Sequence, residues 1–382
     1  MRAVRVLLSA RDPGGAAMVS AVAPALRASG GLDVTVVASG SAWDALAGGA
    51  GPPLRFTLPD GSDHVPPDGD PAPLLDAAAA LLARVDPDVV IAGISSLGVG
   101  LDEALVARPG GRATFALQDY PGDANHIGGA YAGTYFVRDE AAARLTRSRF
   151  GVSAVPVGSL RHAAYSHLDV GRLRADTRAR IGAHAGRAVV GFFAQPADMP
   201  GHEAAFDHLV AALAHRPTKP LVLLREHPKS PGAAERRAAA LADAGIAVHD
   251  ATGDGAAEPW LAGCDVVTTC FSHSSMDYAF LSSWSPEPLG SVLFLLTSEA
   301  TRRFLRHYAG IMAPDGVEVG LGRVAEHPSD VGPLLERALT PEECRAFHAA
   351  SRRLPREARF DVIADAVRSA GQARIVSAGG GR

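Results

Sequence analysis

The sequence predicts an α/β protein of two doubly wound, Rossmann-like domains facing a cleft, and three observations carry that expectation. Apolar runs of strand length alternate with longer helix-length runs throughout the 382 residues. The alternation passes through two segments of similar size, with a turn at Gly158-Ser159-Leu160 between them. The densest polar motifs stand directly after apolar runs, where an open parallel sheet receives its ligands.

In chain order, residues 4–9 read as a buried first strand. Arg11-Asp12-Pro13-Gly14-Gly15 is a tight turn, and 16–29 a helix that Gly30-Gly31 ends. With a second strand at 32–38 this makes a strand–helix–strand unit, which favours parallel pairing. The Pro, Gly and Asp-rich stretch 52–73 reads as loop. A helix at 74–85, strands at 88–92, 114–117 and 134–137, a helix at 139–150 and a short apolar run at 154–157 complete a domain over 1–160. A second domain over 161–355 repeats the alternation. Its strands are expected at 188–193, 221–224, 246–249, 264–269 and 291–296, and its helices at 203–215, 233–244 and 274–281. Helices dominate 330–370, and the segment 356–382 is expected to be a last helix, crossing back to the first domain, with a disordered tail from Ser377.

Composition excludes several classes. Hydrophobic residues make up 47% and charged residues 20%, as in globular proteins. Net charge is −4 with no basic run, which argues against non-specific nucleic-acid or membrane-surface binding. Cys264, Cys270 and Cys344 form no disulfide framework and no zinc spacing. The N-terminal apolar stretch is too short for a signal peptide or a membrane span, so no integral membrane segment and a cytoplasmic location are expected.

Two motifs in the second half point to a phosphate-bearing ligand. Arg225-Glu226-His227-Pro228-Lys229-Ser230 follows the apolar run 220–224, and Ser272-His273-Ser274-Ser275 follows 264–270. The second opens a helix, whose unpaired N–H groups and dipole suit phosphate. One serine suffices as an N-cap; Ser272, Ser274 and Ser275 together exceed that need. An imidazole at His227 would stabilise charge on a leaving phosphate, with Arg225 and Lys229 beside it. No helical His pair and no Asp-x-Asp at a strand end is present, so neither a metal nor a cofactor is expected.

The first half offers a proton acceptor in several places. Asp12 follows the first strand, and Gly14 and Gly15 let a ligand approach helix N–H groups. Gln118-Asp119-Tyr120-Pro121-Gly122-Asp123-Ala124-Asn125-His126 is a polar loop after another strand, and Asp119 or His126 competes with Asp12 for the role of base. Gly93-Ile94-Ser95-Ser96 ends a further strand at the same edge.

The His227-Pro228 and Ser274-Ser275 pair resembles the motifs of bacterial sialyltransferases and polysialyltransferases, and Ser274-Ser275-Met276-Asp277-Tyr278-Ala279 resembles a stretch of teichoic-acid glycerophosphotransferases. Val155-Pro156-Val157-Gly158-Ser159 resembles the end of a GT-B N-terminal domain. The resemblance implies the GT-B fold, a cytidine-nucleotide-activated donor, and phosphate held by His227, Ser274 and Ser275. The acidic Asp/Glu-Asp/Glu-Gly triplet of the sialyltransferases is not found, and Ala10-Arg11-Asp12-Pro13-Gly14 stands where UDP-sugar 2-epimerases carry Gly-Thr-Arg-Pro-Glu. The expected function is a metal-independent bacterial glycosyltransferase. Its C-terminal domain would hold a nucleotide-sugar donor and its N-terminal domain an acceptor hydroxyl or similar nucleophile. The alternatives are a sugar-nucleotide 2-epimerase or hydrolase, or a catalytically silent sugar-nucleotide-binding protein.

Overall fold

The computed structural model describes every residue except 1, 49, 50, 67, 96, 97, 185, 197, 198, 228, 229 and 380–382. The chain divides into two compact units, Met1–Ala163 with Pro355–Arg382, and Ala164–Leu354.

The first unit opens with β1 (Val4–Ala10), α1 (Pro13–Ala28), β2 (Leu32–Ala38), α2 (Gly40–Ala47), β3 (Leu54–Arg55) and β4 (His64–Val65). It continues with α3 (Ala72–Val85), β5 (Val89–Ala92), β6 (Val99–Gly100), α4 (Leu101–Ala107), β7 (Ala113–Leu117), β8 (Thr134–Val137), α5 (Glu140–Phe150) and β9 (Ser153–Pro156). Seven strands form one parallel sheet in the order β3-β2-β1-β5-β7-β8-β9, while β4 and β6 pair antiparallel outside it. The central strands are apolar on both faces, as a sheet covered by helices requires; Leu7, Leu8, Val90 and Ile91 are fully buried.

The second unit contains α6 (Val170–Arg180), β10 (Val189–Phe193), α7 (His202–Ala214), β11 (Leu221–Arg225), α8 (Ala234–Asp243), β12 (Ala247–Asp250), α9 (Glu258–Gly263) and β13 (Val266–Thr269). It ends with α10 (Ser274–Trp284), β14 (Ser291–Leu295), α11 (Glu299–Ala309), β15 (Arg323–Ala325), α12 (Val331–Ala338) and α13 (Pro341–Ser351). Its six-stranded parallel sheet runs β12-β11-β10-β13-β14-β15.

The last helix, α14 (Phe360–Gly379), belongs to the first unit. Ile363, Ala364 and Val367 join the core that β1 and α1 build, and at Gly371 a Cβ would lie 2.1 Å from Val4 Cγ1. The disorder expected from Ser377 is corrected here: helix continues to Gly379 because a docked helix propagates cheaply through Ala, Arg and Gln, and 380–382 lie outside the described residues. Gly158 (φ +75°) marks where the returning chain crosses, since a Cβ there would meet the Glu357 carbonyl oxygen at 1.9 Å. Among the described residues, no helix is long and apolar enough to cross a membrane.

Candidate functional site

In each unit the strand order reverses at one place, the kind of switch point at which open α/β sheets receive ligands beyond the strand C-terminal ends. In the second unit β11 and β12 lie on one side of β10, and β13 to β15 on the other. The reversal falls between β10 and β13. His227 follows β11 and Ser272–Ser275 follow β13, so both motifs stand at this edge, one strand to either side of β10. Two strand spacings put them on the order of 10 Å apart.

The residues around His227 divide by strand alternation. Arg225 turns to the adjoining loop and donates to the carbonyls of Ala251 (3.0 Å) and Gly255. Burial lowers its pKa, opposed by Glu258 and Asp254. It braces the β12–α9 connection. Glu226 points inward, where the fully buried Arg237 donates to it; the second arm of Arg237 reaches Glu203 Oε1 at 2.7 Å. The guanidinium also lies 5.5 Å from the ring centre of Phe192 and 5.4 Å from that of Phe206. Burial pushes the Glu226 carboxyl up, against the pull of Arg237, while Arg236 and Arg237 hold Glu203 down at about 2. His202, the first residue of α7, stacks on Phe192 and is driven down to about 4 by burial and then by Arg237, so it is a neutral imidazole. His227 is half-buried, and its carbonyl accepts from Ser230 N–H at 2.8 Å. Pro228 and Lys229 lie outside the described residues.

The serine motif caps α10 from within. Ser272 Oγ accepts from Ser274 N–H at 3.3 Å, and the Ser275 hydroxyl donates to the Ser272 carbonyl at 2.8 Å. Ser275 is buried and closes the loop. The hydroxyls of Ser272 and Ser274 are half-buried and lie 3.2 Å apart, two rotatable donors at the helix N-terminus. Phe271 stacks on Phe304 of α11 with ring centres 6.0 Å apart, which ties the loop to the next helix.

In the first unit the order reverses between β1 and β5. Asp12 is the N-cap of α1 by backbone position, with Pro13 as the first helical residue, yet its side chain makes no capping hydrogen bond. It lies 3.5 Å from Arg11 Nη1, and both residues are buried. Gly14 makes room for a carboxylate: a Cβ there would sit 2.1 Å from Asp119 Oδ2, so Asp119 lies over the start of α1. It also lies 3.5 Å from Arg161 Nη1. Gly15 is buried against Ala10 and the Gly93 backbone and serves close packing of α1 on the strand ends.

Two acidic residues that the sequence reading passes over complete this edge. Asp102 accepts from Ser9 Oγ at 2.5 Å and from Ser95 Oγ at 3.3 Å. Glu103 receives the N–H groups of Ser95 and Gly100, both at 2.8 Å, and so caps α4. Burial, helped by Asp12, raises Asp102 to about 6; burial, helped by Asp102, raises Glu103 to about 8. Asp123 is lifted to about 7 by burial and then by Asp119, with Arg149 opposing. A signal for Asp102 and Glu103 existed in Gly100-Leu101-Asp102-Glu103, a capping pattern with a paired carboxylate just after a strand-end loop. His126 stands apart from these contacts. It is exposed, its Nδ1 accepts from Gly129 N–H at 3.0 Å, and its ring meets Tyr131 edge-on at 4.8 Å. Asn125 shapes the loop by donating to the carbonyls of Ser95 (2.9 Å) and Gly98 (2.7 Å). Ser96 lies outside the described residues.

No protein-family model matches the chain. No curated protein matches it by sequence either. Solved structures do match over nearly the whole length. The Staphylococcus aureus protein MnaA in complex with UDP is 14% identical, with a TM-score of 0.66 and 94% of each chain covered. A UDP-N-acetylglucosamine 2-epimerase from Listeria monocytogenes, so described provisionally, is 12% identical, with a TM-score of 0.65 over 96% of this chain and 94% of that one. A glycosyltransferase from Rickettsia africae is 9% identical, with a TM-score of 0.63 over 98% of this chain and 99% of that one. The fold is GT-B: two Rossmann-like α/β units. At these identities the likeness speaks for the fold alone.

Proposed function

We propose that this chain is a glycosyltransferase that moves a sugar from a nucleotide-activated donor to an acceptor hydroxyl or similar nucleophile, without a metal. The observation that carries the reading is the sheet order β12-β11-β10-β13-β14-β15, which gathers His227 and the Ser272–Ser274 hydroxyls at the switch point of the second unit. The donor phosphate is held there by the α10 N-terminus, Ser272, Ser274 and His227. Charge that builds on the leaving phosphate is met by N–H groups and imidazole, already in place before reaction. Arg225 and Ser275 support this site by bracing its loops, and Lys229, two residues after His227 in the sequence, is a further candidate for the phosphate. The first unit takes the acceptor at the β1/β5 edge, beside Asp12, Gly14 and Asp119. His126 borders that edge from the loop after β7.

The donor base is the open choice between two supports. The His-Pro and Ser-Ser resemblance favours cytidine nucleotides. The similar structures favour uridine, since one holds UDP and another is described as acting on UDP-N-acetylglucosamine. A second reading, 2-epimerisation of the donor sugar, draws support from that same description. It also draws on the carboxyl group of Asp123, which burial shifts toward neutral pH, where it can both give and take a proton. Product analysis separates the two. With UDP-N-acetylglucosamine or a CMP-sugar, transfer yields free nucleotide and a new glycoside, whereas free sugar without a glycoside marks hydrolysis. Epimerisation yields an isomeric sugar nucleotide or its elimination product, with no acceptor requirement. The transfer reading expects the first; the isomer alone would replace it with the second.

A further inference from the structure

We propose that His64, held by Asp63, takes the proton from the incoming acceptor. The inference rests on the transfer reading above and adds to it a residue from a stretch that the sequence reads as plain loop. His64 lies on β4, paired antiparallel to β6 with His64 opposite Gly100 and Val65 opposite Val99. Gly100 is in turn the N-cap of α4, held by Glu103. The pairing therefore fastens His64 to the β1/β5 edge of the first unit.

His64 Nδ1 lies 2.8 Å from Asp63 Oδ1. A carboxylate only accepts, so Nδ1 carries the hydrogen, and the lone pair of the neutral ring sits on Nε2. Asp63 is itself fixed, with Oδ2 3.5 Å from Nε of the buried Arg11, whose Nη1 lies 3.5 Å from Asp12. The backbone is shaped around the pair. At Gly40 (φ +52°) a Cβ would lie 2.2 Å from Asp63 Oδ2, and at Gly98 (φ +120°) one would lie 3.2 Å from His64 Cδ2. The His64 side chain remains 38% exposed, so a substrate reaches it, whereas Asp102 is 1% exposed and does not meet solvent. Among the described residues, Asp63 on its own segment lies beside the ring, Arg11 and Asp12 from the β1–α1 turn stand behind Asp63, and β6 contributes Val99 and Gly100.

In the step, an acceptor oxygen lone pair forms the bond to the sugar anomeric carbon. The bond from that carbon to the phosphate oxygen breaks, and its electron pair leaves with the nucleotide. The acceptor proton passes to Nε2, and Asp63 stabilises the imidazolium.

The test compares wild type, H64Q and D63N for nucleotide release from UDP-N-acetylglucosamine and CMP-N-acetylneuraminate, with water or azide as the nucleophile. Azide has no proton to lose, so it bypasses the base. H64Q is expected to release nucleotide into water roughly 10²- to 10⁴-fold more slowly, while azide restores most of its turnover. D63N is expected to lose less than H64Q. An unchanged rate with water, or equal loss with water and azide, in variants whose nucleotide-induced thermal shift matches wild type overturns the dyad and leaves the transfer reading standing. A wild-type chain that neither shifts with nucleotide nor turns over either donor overturns the transfer reading, and the dyad with it.

Discussion

Asp123 is a carboxyl group whose surroundings favour its proton. Burial and the charges of Asp119 and Asp12 raise it from the ordinary aspartate range to about 7, against the pull of Arg149. The native state then binds a proton between pH ~4 and ~7 that the unfolded chain has already released, so stability falls as pH rises through this window. D123N removes the effect. It is expected to match wild type near pH 4 and to be more stable by on the order of 4 kcal/mol near pH 8, as read from urea melts at both values. A difference that is the same at both pH values would show that Asp123 does not carry the proton. The sequence marks the loop that holds Asp123 but not the role of that residue, because a single position does not reveal what will cover it. Asp102 and Glu103 are less legible still. Ser95 and Gly100 are local partners, but Ser9 on β1 is brought to Asp102 only by the sheet.

Among elements, β11 shows how alternation sorts one motif into two tasks. In Arg225-Glu226-His227 the middle residue enters the core and the outer two stay at the edge. The Glu226–Arg237–Glu203 cluster fastens β11, α8 and α7 beneath the loop that carries His227. Removing one partner of a buried ion pair leaves an uncompensated charge. R237L is therefore expected to cost about 3–5 kcal/mol in urea unfolding, and the double variant E226L/R237L to regain most of it. A double variant no better than R237L alone would show that packing, not charge, sets the cost. The sequence reading finds most strands and the longer helices within a few residues, because apolar runs and Gly or Pro punctuation report them directly. It leaves α2, α4, α6, α9 and α11 as connections. The seven residues of α4 include six that are buried, so no polar face betrays it, and α6 is mostly polar, with Val170 and Leu173 too few to make a clear apolar stripe. α11 has a clear apolar stripe, and Ser298 caps it, so both of its signals are present in the sequence.

For the whole molecule, the α/β alternation shows a parallel sheet in each half but not the order of its strands. That order is a property of crossovers, and it decides the functional reading. It puts the switch point of the second unit between β10 and β13, next to the two motifs that the sequence singles out. The same reversal in the first unit falls between β1 and β5, where Asp12 and the buried acids meet. The central claim is that His227 and the serine loop hold a nucleotide phosphate. Its most direct test is the thermal shift of wild type and H227A with UDP, CDP, CMP, GDP and dTDP. One nucleotide is expected to stabilise wild type by about 2.7 kcal/mol at a hundred times its Kd, with most of that gain lost in H227A at the same concentration and unchanged ligand-free melting. No shift with any of the five, or an equal shift in H227A, would contradict the account.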